Sequence, residues 1–234
     1  TYALMEILDG RCCPSGKLPD SFPWDYYDHP SAYNFPNLSR EDPQPSDAAI
    51  GTHIYYEEDI YVGYRYYDTF NKETAFCFGH GLSYTDFSLD WAQPAWDGKQ
   101  VRVDVTVTNT GNCSGKEVVQ LYIAAPQGRL EKPRRVLAAF EKTRLLAPGE
   151  SEKLHLTADR NSFASFSEDE TAFLLEAGNY EVYCGNSLDK SHVAGAFTLE
   201  SDAILRKVHP VAQPAEDYKR ISQSDPSFPA ATKR

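Results

Sequence analysis

The chain has 234 residues, 41% of them hydrophobic, with 15 Tyr, 12 Phe and 3 Trp, so it can bury a sizeable core. Its formal net charge of −11 argues against a nucleic-acid partner, which calls for a basic stripe, and reads as solubility. No apolar run approaches the roughly 20 residues that a bilayer-spanning helix needs, so a membrane is not an expected partner either.

Thr1-Tyr2-Ala3-Leu4 has no initiator Met and reads as the interior of a helix already under way, so the natural N-terminus is expected upstream. Leu4, Ile7 and Leu8 follow helical spacing, and Gly10 is placed to cap the C-terminus. Pro14-Ser15-Gly16-Lys17-Leu18-Pro19 is turn chemistry, and Phe22-Pro23 enters a loop. Residues 24–52 hold four prolines among polar residues. Trp24, Tyr26, Tyr27, Tyr33 and Phe35 are too much apolar area to leave in water, so an ordered surface loop is expected.

Residues 54–67 read as extended. Alternation puts Ile60, Val62, Tyr64 and Tyr66 on one face and Tyr61, Gly63, Arg65 and Tyr67 on the other, so both faces should be covered. Then comes a corner, Gly79-His80-Gly81. From about residue 86 the texture changes. Val101, Val103, Val105 and Val107 alternate with polar residues, as in a half-buried strand. Further strands are expected at 118–123, 137–140, 153–157, 180–183 and 195–199, with turns at 109–111, 147–150 and 176–179. Short strands at this spacing predict an immunoglobulin-like antiparallel β-sandwich of about 100 residues. Residues 200–234 lose the pattern and read as a linker or tail.

The side chains with reactive potential carry bland readings. The five cysteines, Cys12, Cys13, Cys77, Cys113 and Cys184, lack the spacing of a disulfide framework and read as reduced thiols. A cytoplasmic location is therefore expected ahead of a secreted or periplasmic one, although Asn37-Leu38-Ser39 fits a glycosylation sequon. Glu57-Glu58-Asp59 reads as a solvated acidic turn. Asp25 and Asp28 sit in the aromatic loop, whose rings either stack on sugars or pin the loop down. Arg65 is expected to lock the two domains together by a cation–π or carboxylate pair, and His80 to hydrogen-bond backbone. No His or Cys pairs at metal-ligand spacing, so neither metal nor cofactor is expected.

Several blocks then occur in a specific order. They are Ile7-Leu8-Asp9-Gly10 with Pro14 to Pro19; residues 60–85, IYVGYRYYDTFNKETAFCFGHGLSYT; Val105-Thr106-Val107-Thr108-Asn109-Thr110-Gly111; and Gly115-Lys116-Glu117-Val118-Val119-Gln120-Leu121-Tyr122. Pro148-Gly149-Glu150 and Ala177-Gly178-Asn179-Tyr180 follow. The set resembles the C-terminal portion of glycoside hydrolase family 3, with a fibronectin type III-like domain, over residues 1 to about 199. Two positions depart from the family pattern: Cys13 stands where the family has Asn, and Cys77 where it has Pro.

The resemblance implies a mainly β chain. A partial α/β sandwich segment with a long ordered loop (1–59) and a tyrosine-rich connector (60–85) precede the fibronectin type III-like β-sandwich (86–199) and a tail (200–234). It implies a retaining β-glucosidase-like parent acting on terminal β-linked glucose or xylose. Its two carboxylates, roughly 5–5.5 Å apart, would lie in domains outside this chain, leaving no catalytic, cofactor or metal residues here. The implied partners are the parent's remaining catalytic domains and, through them, a β-glucoside or oligosaccharide, with self-association open. A rearranged order, with the barrel after the sandwich, would make 200–234 a connector. The competing class is a non-catalytic carbohydrate- or protein-binding module.

Overall fold

Val101, Val103, Val105 and Val107 are fully buried along one strand that is paired on both sides, and the fold is built around them. The computed structural model describes residues 2–33, 56–211 and 219–225. Its strands are β1 (Phe87–Trp91), β2 (Ala95–Trp96), β3 (Gln100–Asn109), β4 (Val118–Ala124), β5 (Val136–Lys142) and β6 (Ser151–Asp159). They continue with β7 (Ser165–Ser167), β8 (Ala172–Leu175), β9 (Gly178–Gly185), β10 (His192–Leu199) and β11 (Ala203–Lys207). In the first sheet β1 and β2 pair successive parts of one edge of β3, and β6 pairs the other. The second sheet runs β10-β9-β4-β5, and a smaller one runs β11-β8-β7. All pairings are antiparallel.

The alternation in β3 meets that of β6, where Leu154, Leu156 and Ala158 point inward beside Val105, Val103 and Val101. The opposing sheet supplies Val119, Leu121 and Ile123 from β4 and Tyr180, Val182 and Cys184 from β9. Each fully buried Val or Leu of this kind stabilises by about 1.5–3 kcal/mol. The mainly β, fibronectin-like fold expected from the pattern is therefore present. The strand β4 carries a second apolar face, on which Tyr122 joins Cys77 and Leu188 in a separate cluster, so the sandwich is covered from outside as well.

The structure differs from the sequence pattern in three places. Residues 64–69 are not extended but form α2 (Tyr64–Thr69), after a first short helix, α1 (Tyr2–Leu8). Gly63, with φ 59 and ψ −134, breaks the chain direction just before α2, and helical spacing then brings Tyr66 against Phe70 with ring centroids 5.1 Å apart. Tyr64 and Tyr66 fit a two-residue period, while Tyr61, Tyr64 and Tyr67 fit a helical one, so the tyrosines do not separate the two. The expected tail also begins with a strand: β11 pairs β8, and Leu205 packs on the main core. Further along, Ile221 is 3% exposed, and its N–H donates to the Glu57 carbonyl at 2.7 Å. Lastly, the aromatic loop leaves Trp24 73% exposed, with Tyr26 and Tyr27 also exposed. The 3-10 turn there carries its own reciprocal caps, Tyr26 packs edge-on against Tyr27 and His29, and the Tyr67 hydroxyl meets His29 Nδ1 at 2.9 Å. Phe35 and the Asn37 sequon lie outside the described residues.

Candidate functional site: the seam between the helical strut and the sandwich

Residues 61–85 form a strut against the outer face of the second sheet. On α2, Asp68 accepts two hydrogen bonds from Arg135, to Nη2 at 2.6 Å and Nε at 2.9 Å. Both side chains are buried, and Arg135 also donates to Ser191 Oγ at 2.7 Å while its guanidinium lies 4.9 Å from the Tyr183 ring centroid. Burial works against the Arg135 charge, but the Asp68 carboxylate outweighs it and holds the guanidinium above its ordinary range. The clamp expected of Arg65 is thus made by Arg135, four residues beyond Glu131 in the β4–β5 loop; no described residue forms an ion pair or ring stack with Arg65.

Two further bonds fix α2. The Leu137 N–H donates to Tyr64 Oη at 2.7 Å, and the Arg134 N–H to Thr69 Oγ1 at 2.9 Å. Tyr64 packs on Phe78 with centroids 4.5 Å apart and meets Tyr122 edge-on. Tyr122 donates to Gln120 Oε1, and burial pushes its hydroxyl up. Beside the clamp lies an open polar cleft of about 440 Å³, lined by Asp68, Lys72, Arg134, Arg135, Tyr183 and Asp189 among others.

The corner at 79–81 makes a different join. Gly79 has φ +78, and a Cβ there would collide with the Gln120 amide; a Cβ on Gly81 would strike the Gly16 carbonyl. His80 pairs through its backbone, accepting from the Leu18 N–H at 2.8 Å and donating to the Cys77 carbonyl at 3.1 Å, while its ring packs 5.0 Å from Phe76. Lys17 pairs with the buried Glu117 at 2.8 Å, and Lys142 donates to the Ser15 carbonyl at 2.9 Å. At the corner's end Thr85 donates to Asn109 Oδ1 at 2.6 Å, and the Asn109 amide donates to the carbonyls of Cys113 and Leu146. That pattern explains the Asn in the Asn109-Thr110-Gly111 block.

The acidic candidates are occupied by structure. Asp25 Oδ1 accepts the Tyr27 N–H at 2.9 Å and Asp28 Oδ2 the Asp25 N–H at 3.2 Å, a reciprocal cap on one short turn. Glu57, Glu58 and Asp59 do form a turn; Asp59 lies 3.6 Å from Arg220 Nη1, and Glu58 Oε2 is buried without a hydrogen-bond partner among the described residues. Among the described residues no three His, Cys, Asp or Glu side chains are grouped to hold a metal ion, and no helix is long and apolar enough to cross a membrane. Sequence reasoning missed Asp68, Arg135, Glu117 and a third buried acid, Glu176. Glu176 accepts from Lys132 and from the N–H groups of Arg129 and Leu130. Their one signal is a charge set directly against a buried apolar run, as in Glu117-Val118-Val119 and Leu174-Leu175-Glu176.

The class of this architecture is matched by a family description: the Fn3-like, fibronectin type III-like domain covers residues 117–188. Over 92% of its length the chain is 38% identical to the β-glucosidase of Ruminococcus albus, of which it spans 22%. Among solved structures, a β-glucosidase from Paenibacillus barengoltzii superposes with a TM-score of 0.81 at 39% identity, covering 92% of this chain and 23% of that one. β-Glucosidase 3B from Thermotoga neapolitana, in complex with α-D-glucose, gives 0.75 at 45% identity, covering 87% and 27%. The chain therefore resembles the C-terminal region of glycoside hydrolase family 3 β-glucosidases, and it spans about a quarter of the length of the relatives it matches.

Proposed function

We propose that this chain is the C-terminal accessory region of a retaining glycoside hydrolase that releases terminal β-linked glucose or xylose from oligosaccharides and glycosides. Its role is to buttress the catalytic domains, and both catalytic carboxylates are supplied from outside it. The observation that carries this reading is the apolar surface on the strut side of the molecule. Leu4, Met5 and Leu8 of α1 are exposed, Leu8 at 66%, and Phe22, Phe76 and Leu82 are exposed nearby. A surface of that kind calls for a covering domain, and the relatives named above are long enough to provide one. The engagement of Asp25, Asp28 and Asp68 in caps and clamps supports the placement of catalysis elsewhere.

The test is to assay the purified chain on nitrophenyl β-glucoside beside its full-length parent. Turnover by the parent alone is the expected result; saturable turnover by the chain alone would overturn the assignment. A second reading, a carbohydrate-binding module, is favoured by the exposed rings of Trp24, Tyr26 and Tyr27, since aromatic faces stack on pyranose C–H groups. Calorimetric titration with cello-oligosaccharides separates the two: binding without turnover, lost in Trp24→Ala, supports the module.

A further inference from the structure

Cys13 lies in the loop after α1 and Cys113 in the turn between β3 and β4, yet both sulfurs converge on one residue. The Tyr84 N–H donates to Cys13 Sγ at 3.4 Å, and Cys113 Sγ donates to the Tyr84 carbonyl at 3.1 Å. Backbone N and O atoms of a single residue lie within about 4 Å of each other. Ser83 Oγ stands 3.3 Å from Cys13 Sγ, and a Cβ built on Gly115, two residues past Cys113, would stand 3.4 Å from the same sulfur. The Cys113 thiol is pushed up, by burial first and then by the Cys13 thiol, which suits its role as proton donor to Tyr84. All five cysteines are free; Cys13 and Cys113 are part-exposed, whereas Cys77 and Cys184 are buried and belong to other clusters. Cys12 is exposed, and its sulfur lies 3.8 Å from the Cys13 carbonyl rather than toward Tyr84.

We propose that Cys13 and Cys113 form a modification site, a facing thiol pair that closes to a disulfide by exchange with a small disulfide such as oxidised glutathione. One thiol loses its proton and attacks the donor, forming a mixed disulfide and releasing one glutathione thiolate. The second cysteine, as thiolate, attacks the cysteine sulfur of that mixed disulfide and displaces the other glutathione. The protein gives up two electrons and two protons, and the donor's sulfur–sulfur bond is reduced to two thiols. The bond joins the loop after α1 to the sandwich across a loop of about 100 residues, and the restriction a crosslink places on the unfolded chain grows with loop length. It reinforces the join already made by Tyr84 Oη, which donates to the Ile7 carbonyl at 2.8 Å. The bridge requires the two Cα atoms to lie within about 7 Å.

The chain is equilibrated in a series of glutathione redox buffers, quenched with an alkylating agent, and mapped by peptide mass spectrometry. The expected product is a linked peptide pair containing Cys13 and Cys113, lighter by two hydrogens, which persists in Cys12→Ser and forms while Cys77 and Cys184 stay unlinked. Oxidation should also raise the thermal unfolding midpoint by about 5–10 °C in the wild type and leave Cys113→Ser unchanged. Alkylated or singly glutathionylated Cys13 and Cys113 at every buffer ratio, or a Cys12–Cys113 link in their place, overturns the proposal. If Cys113→Ser does not fold, the wild-type and Cys12→Ser peptide maps decide it.

Discussion

The sandwich and the strut solve the burial problem in opposite ways. In the sandwich, aliphatic side chains from two sheets interlock, and the polar groups that enter are few and paired. The strut buries Tyr61, Tyr66 and Tyr67, and each junction ends in a named hydrogen bond or ion pair: Tyr64 to Leu137, Asp68 to Arg135, Tyr61 to Gln223. The sandwich closes its own core even though side chains such as Phe140 stay exposed outside it, whereas α1 buries none of its residues and the loop at 22–27 leaves Trp24 exposed. Non-directional burial tolerates repacking, but a seam of directional bonds holds one orientation and fails when a single partner is removed.

Removing one side of the clamp is the sharpest way to break that contrast. Asp68→Ala leaves the Arg135 charge buried and uncompensated and should destabilise by about 3–5 kcal/mol in urea unfolding. The double variant Asp68→Leu/Arg135→Leu should recover much of that loss; if it does not, the seam depends on shape rather than charge. Inside the sandwich, Leu121→Ala should destabilise by about 2–4 kcal/mol through the cavity it leaves, with the α2 contacts unaffected in hydrogen exchange. Tyr64→Phe keeps the ring and removes only the acceptor for the Leu137 N–H, a loss of about 1–2 kcal/mol.

Acid should act on the sandwich through Glu176. Burial would raise its carboxyl, but Lys132 and the N–H groups of Leu130 and Arg129 outweigh that and lower it below its ordinary 4.5. A carboxylate lowered in the folded state contributes stability above its unfolded pKa and loses it as pH falls through the folded value. The wild-type urea midpoint should therefore drop below about pH 4.5, with a flatter profile in Glu176→Gln. The smallest effect is on reactivity. Burial pushes the Cys184 thiol up to about 12, so it should resist labelling at pH 8 until the chain unfolds, while exposed Cys12 reacts at once.

The sandwich was legible because its signals are local. Four alternating valines, turns at Asn109-Thr110-Gly111 and Pro148-Gly149-Glu150, and apolar runs at β4 and β9 each declare themselves within a few residues, and the ordered blocks tied them to one family. The strands β1, β2, β7, β8 and β11 did not stand out, because each spans five residues or fewer, too short for an alternation to declare itself. The fate of residues 60–70 was hidden for a different reason: the tyrosines at 61, 64, 66 and 67 fit both a two-residue and a helical spacing, so they announce burial but not the period of the backbone. Only the tertiary structure set Gly63 as the break, turned Tyr64–Thr69 into a helix, and brought Asp68 to Arg135 and Cys13 beside Cys113. Those pairings join residues dozens of positions apart, and a bond between distant residues leaves no period in the chain that makes it.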